Sequence, residues 1–360
     1  MMKNTFYVGT YTHDSQNPDG DAPGHRAEGI FRFSLDLESG RLEKLGSYAS
    51  DPNPSFLALH PGGRFLYAVS EQENGGVSAY AVAPDTGDLR FINRQETGGA
   101  DPCYVSVDPG GRWLMAANYT GGSLAVFPIG PDGELGPAAE FVQHEGSGPD
   151  LERQEKAHAH SIRLVPGSPF VLACDLGMDR VWVYRLDMET GKLTPNDPPG
   201  MEVEPGSGPR HFEFHPNRRW VYIANELGNT VTAAAWDGAA GTLAPLQTLP
   251  TLPEGFSDEN TVADIHLTPD GRFLYVSNRG HDSLAAYRVD PESGRLAFLA
   301  HTHTQGRCPR NFAISPDGRF LLAANQFSGS LVVFRIDPDS GKLEQVGEPA
   351  RLPSPVAVGF

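Results

Sequence analysis

The chain has 360 residues, 39 % of them apolar and 20 % charged, which is enough to bury a core and excludes a disordered chain. Its 41 glycines and 31 prolines exclude an architecture of long helices, and 28 basic against 45 acidic residues, a net charge of −17, argue against nucleic acid or an anionic membrane as partner. No apolar run reaches the ~18 residues of a membrane span.

The first residues, 1–8, carry one lysine, no apolar run and no small-residue cleavage site, so no secretion signal is expected there. Phe6, Tyr7, Val8, Gly9 and Thr10 read as the second strand of a repeat whose first strand is missing. From residue 57 a hairpin recurs: apolar-x-apolar-x-Pro, a tight turn, then an apolar strand ending in a small polar residue. It occupies 57–70 and returns at 105–118, 162–175, 212–225, 265–278 and 312–325. A second turn accompanies each copy, with its glycine at Gly40, Gly87, Gly133, Gly191, Gly241, Gly294 and Gly341, where a short hairpin demands positive φ. Residues 354–360 supply the strand missing at the start.

Four short strands about every 50 residues is the period of a propeller. The chain is therefore expected to be all-β, a single seven-bladed β-propeller domain over 1–360. The C-terminal strand pairs with the N-terminal blade and leaves no open edge. A solenoid would want capping repeats and would leave 354–360 unexplained. Cys103, Cys174 and Cys308 are odd in number and far apart, with no Cys-x-x-Cys pair. They are expected to be buried, reduced thiols of a cytoplasmic protein, with no zinc site.

Chemistry is sought where the repeat stops repeating. In an antiparallel pair the start of the first strand lies beside the end of the second, so two columns should share a rim around the central channel. Six positions before the turn proline stand Ser55, Cys103, His160, Arg210, Ala263 and Arg310. After the second strand stand Tyr11, Glu71, Tyr119, Leu176, Glu226, Arg279 and Gln326. A histidine, three arginines and two glutamates on one rim suit an anionic ligand and a proton-transfer step, although Arg–Glu pairs can also simply knit neighbouring blades. A deeper column holds Arg163, Glu213 and His266, the first two expected to satisfy each other's charge. His158 and His160 could be a metal pair, but no third ligand cluster accompanies them, and a general base is the better role. The insertion at 142–156 reads as a mobile loop over the rim. Gly-x-Ser-x-Gly does not occur, so no serine nucleophile is expected.

With these motifs in view, the whole chain resembles the lactonase family of seven-bladed propellers. The stretches 206–217, 224–227, 256–258, 263–272 and 309–312 carry the likeness, with His158-Ala159-His160-Ser161 resembling the family's histidine-containing strand start. The resemblance implies a hydrolase that opens a sugar δ-lactone, 6-phosphogluconolactone foremost, with a small phosphorylated lactone as partner and no cofactor. His160 is expected as the base, Glu226 as its orienter or the alternative base, and Arg210, Arg279 and Arg310 as holders of phosphate and carbonyl oxygen. His266 and His158 are expected to line the substrate. A muconate-type lactonizing cycloisomerase, sharing fold and constellation, and a non-catalytic binding propeller are the alternatives.

Overall fold

The computed structural model describes residues 3–13 and 27–360. Among them, 28 strands form seven four-stranded antiparallel sheets, the blades of a β-propeller. Blade 1 joins Pro355–Gly359 to Lys3–Thr10, Gly29–Asp36 and Leu42–Ala49. Blades 2 to 7 follow in chain order, over 57–96, 102–143, 159–202, 209–250, 261–303 and 309–351. No helix among the described residues is long and apolar enough to cross a membrane.

Closure is as expected. Tyr7 pairs with Gly359, Val8 with Val358 and Gly9 with Ala357, and the Tyr11 N–H donates to the Ser354 carbonyl at 3.1 Å. The C-terminal strand is thus the inner strand of blade 1, and Phe360 packs on Phe6 with ring centroids 5.0 Å apart.

Contacts group the chain into two compact units. The early unit is Asp51–Arg210 with Asp237–Leu243, and the late unit is Met1–Ser50, His211–Trp236 and Ala244–Phe360. The core of the early unit centres on Tyr67, Leu114, Phe127, Met115, Ile162 and Tyr184. That of the late unit centres on Phe6, Phe33, Tyr222, Tyr275, Phe312 and Phe334.

One device recurs inside both units. The seven hairpin glycines have φ between 69° and 83°, a region that L side chains enter only with strain. The ring opening the second strand of the preceding blade lies beneath six of them, among them Phe65 under Gly133 and Trp113 under Gly191 in the early unit, Trp220 under Gly294 and Phe273 under Gly341 in the late one. A Cβ at any of these would come within 3.0 Å of the ring. The hydroxyls of Tyr67, Tyr222 and Tyr275 donate to the carbonyls of Gly133, Gly294 and Gly341 at 3.1, 3.0 and 2.8 Å. Positive φ and blade-to-blade packing therefore select glycine together.

Candidate active site

The column six positions before the turn proline coincides with a slip in the inner ladder. Pro102 pairs with Asn118 but Tyr104 with Ala117, so a bulge falls at Cys103. The same slip falls at His160, between Ala159 and Ser161, and at Arg310, between Pro309 and Asn311. In blade 6 it takes in Ala263 and Asp264. A bulge bends its strand and re-aims the extra side chain. That is how a monotonous repeat presents one variable residue per blade.

Members of the two variable columns touch one another, as the shared rim requires. In the early unit the Ser55 hydroxyl donates to the Glu71 carboxylate, and His160 Nδ1 lies 3.6 Å from the Cys103 sulfur. The Tyr119 ring meets His160 edge-on at 5.4 Å. In the late unit Arg279 Nη2 donates to Glu226 at 2.8 Å, linking blades 5 and 6, and to the Val262 carbonyl at 2.9 Å. The Arg310 guanidinium lies over the Tyr11 ring at 5.3 Å.

His160 and Arg210 are 4 % and 3 % exposed, a buried imidazole and a buried guanidinium. His158 stacks on Tyr119 at 4.6 Å, with Nδ1 3.0 Å from the Tyr119 carbonyl and Nε2 3.1 Å from the Glu155 carboxylate. Both its ring nitrogens are engaged, so its geometry is that of a brace for Tyr119. The hydrogen bond from His158 holds the Glu155 carboxyl below its ordinary range.

The insertion at 142–156, expected to be mobile, is tethered at both ends. At one end His144 Nδ1 lies 2.6 Å from Asp175 and Nε2 2.8 Å from the Tyr184 hydroxyl, all three buried. At the other, the buried Gln154 amide donates to the Leu176 carbonyl and to Asp179, each at 2.8 Å. Arg153 donates to the Tyr119 hydroxyl at 3.2 Å, which brings the insertion against the ring that meets His160.

In the late unit the deeper column brings Glu213 against His266. Glu213 is 3.4 Å from His266 Nδ1, while His266 Nε2 is 3.0 Å from Asp264. Burial works against a charge on His266, but the Asp264 carboxylate, with hydrogen bonds to Asp264 and Glu213, outweighs it and raises the group to about 10. Burial likewise opposes ionisation of Asp264, yet the His266 charge and the bonds from His211 and His266 hold its carboxyl well below the usual range.

Asp264 was not among the expected site residues, nor were His211 and Asn311. The signal was one column away. Five positions before the turn proline, Ser161, His211, Asp264 and Asn311 are polar in four successive blades. Asp264 accepts from His211 Nδ1 at 2.7 Å and from Asn311 Nδ2 at 2.5 Å. Asn311 Oδ1 in turn accepts the Val358 N–H of the closing strand at 2.7 Å.

Beside Arg279 a cavity of about 400 Å³ is lined by Thr261, Asp282, Arg307 and Phe327, within the size range of small-molecule sites. Among the described residues no group of three His, Cys, Asp or Glu side chains could hold a metal ion.

The family model described as lactonase, 7-bladed beta-propeller, matches residues 5–360. The 6-phosphogluconolactonase of Bacillus subtilis is 38 % identical over 313 residues, 87 % of this chain and 85 % of that one. That of Formosa agariphila is 37 % identical over 86 % of each. The solved structure of the periplasmic gluconolactonase of Pseudomonas aeruginosa superposes with a TM-score of 0.90 at 35 % identity, covering 99 % of this chain and 98 % of that one. The chain belongs to the seven-bladed β-propeller lactonase family.

Proposed function

We propose that this protein is a hydrolase that opens a sugar δ-lactone to its acid, with 6-phosphogluconolactone, a lactone of the pentose phosphate pathway, as substrate. The observation that carries this reading is kinship over residues 5–360 with lactonases, among them a Bacillus relative named for that substrate. Ester opening by water needs a base to take the water's proton and donors for the developing oxyanion. In the proposal His160 is the base, oriented by Tyr119 and Cys103, and Glu226, pinned by Arg279, is the alternative base. Arg210 and Arg310 hold the phosphate and the carbonyl oxygen, planar forks suited to both. His266 stands in the ligand-facing wall, and His158 braces Tyr119 against His160. The chemistry needs no cofactor. All three cysteines are buried and free of disulfides, in keeping with the cytoplasm as the proposed compartment, which cell fractionation would test.

The test is hydrolysis of freshly prepared 6-phosphogluconolactone against its spontaneous rate, with unphosphorylated gluconolactone and cis,cis-muconate in parallel. His160→Ala is expected to lower kcat roughly 10²–10⁴-fold with KM little changed, because a general base acts mainly in the transition state. Arg210→Ala should raise KM for the phosphorylated lactone alone; equal loss on both lactones would reassign Arg210 to the carbonyl oxygen. Wild-type protein that leaves both lactones at their spontaneous rates, or that lactonizes muconate instead, would overturn the proposal.

A further inference from the structure

An imidazole hydrogen-bonded to two carboxylates uses both ring nitrogens as donors and keeps no lone pair for a proton. His266 has this geometry, with Nε2 toward Asp264 at 3.0 Å and Nδ1 toward Glu213 at 3.4 Å. Three elements contribute to its surroundings. Asp264 lies on its own strand, Glu213 comes from the inner strand of blade 5, and blade 7 presents the Phe312 ring edge-on at 5.0 Å. His211 hydrogen-bonds the same Asp264 carboxylate at 2.7 Å.

Asp264 itself is in no position to meet a ligand, since its side chain is 3 % exposed against 33 % for His266. Its oxygens are saturated. Besides His211, His266 and Asn311, the backbone N–H groups of Ile265 and Phe312 donate to it at 3.0 and 3.3 Å. A carboxylate with five donors from three blades cannot swing, and neither can a ring that donates to it.

We propose that Asp264 is a positioning residue that holds His266 as a permanent, oriented imidazolium, the fixed cation of the ligand-facing wall. The inference deepens the lactonase reading, on which the ligand-facing role of His266 rests. The raised affinity of His266 for its proton agrees with the geometry. With His266 locked in the charged form, it cannot serve as the general base, which leaves that role to the proposed His160 or its alternative, Glu226.

The test has two arms. In ¹⁵N-histidine NMR of the full chain, His266 should show two protonated nitrogens and no titration between pH 5.5 and 8.5. In Asp264→Asn it should titrate near the ordinary value of about 6.5. In kinetics, Asp264→Asn should gain a pH dependence of KM beyond that of wild type. Its KM for 6-phosphogluconolactone should rise about tenfold from pH 6 to 7.5 as the protonated fraction of His266 falls. Asn311→Ala cuts the other arm of the network and keeps both His266 contacts, so its pH profile should match wild type. If Asp264→Asn does not fold, Glu213→Gln removes the second carboxylate and should also bring His266 into a measurable titration. A wild-type His266 that titrates near 6.5, or an Asn311→Ala profile identical to that of Asp264→Asn, overturns the proposal. Wild-type NMR as expected, with no turnover of any lactone, would sink the lactonase reading and leave the positioning role standing.

Discussion

The inner strands of the two units are joined by different chemistry on the same repeat. In the early unit the Phe56 and Tyr104 rings stack at 4.2 Å, the Ser106 hydroxyl donates to the Ile162 carbonyl at 2.7 Å, and the Cys103 sulfur lies 3.5 Å from the His160 carbonyl. All of these are neutral. In the late unit the corresponding positions form a ladder from His211 through Asp264 and Asn311 to the Val358 N–H. A buried charge network is seldom more stabilising than the apolar packing that could replace it, yet removing one member strands the others. In the early unit these inner-strand contacts are made by neutral groups. A charged ladder is what the proposed role of His266 as a fixed cation would need.

The most severe way to break the contrast is to remove the ladder's last rung. Deleting 354–360 takes away the inner strand of blade 1 and the Val358 N–H together, exposing the edge at Lys3–Thr10. The expected outcome is aggregation on expression, or a large drop in melting temperature. A truncated chain as soluble and stable as wild type would show that closure contributes little.

Next in size is Asp264→Ala, expected to cost about 3–5 kcal/mol in denaturant unfolding because it leaves buried partners uncompensated. Its counterpart Ser106→Ala should cost about 0.5–1.5 kcal/mol. The pH dependence separates them further. The lowered carboxyl of Asp264 stabilises fully above its ordinary value of about 4 and loses this as pH falls below it. The raised His266 stabilises fully below about 6.5 and loses this as pH climbs toward about 10. The gap between wild type and Asp264→Ala should therefore be widest near pH 5–6 and shrink by pH 10. The gap for Ser106→Ala should not move.

Smallest in contrast, by design, is a pair of changes to the device the units share. Gly191→Ala and Gly294→Ala each place a Cβ against a tryptophan at positive φ and should cost about 2–4 kcal/mol, equally in the two units. Gly347, at φ 67° with nothing within 4 Å of a Cβ, isolates the backbone part, about 1–2 kcal/mol. Unequal losses at Gly191 and Gly294 would mean that the repeat is less uniform in energy than in shape.

What was legible in the sequence was what is written locally. Period-2 strands, turn prolines and hairpin glycines each declare themselves within ten residues, so the blades and their closure could be read directly. The variable columns were legible too, because counting from the turn proline aligns the blades. The bulges were not. An extra residue such as His160 looks like any other member of a strand until its partner strand is known. Asp264 was missed for a related reason: in the run Ala263-Asp264-Ile265-His266 it reads as the polar half of an alternation. Its partners arrive from strands about 50 residues away on either side. The tether of the insertion was hidden likewise, since nothing beside Gln154 announces that Asp179 will receive it.

The pairing of Lys3–Thr10 with Pro355–Gly359 also has a consequence in time. The first blade cannot acquire its inner strand until the last one has been synthesised, and at about 5–20 residues per second that interval is roughly 20–70 s. Once Leu42–Ala49 has been made, the edge that carries Phe6, Tyr7 and Val8 has every other part of its sheet except the strand that covers it. Ribosome-bound chains should thus hold six complete blades and one that is open to any passing strand, so that the yield of this protein depends on how fast its final residues are delivered.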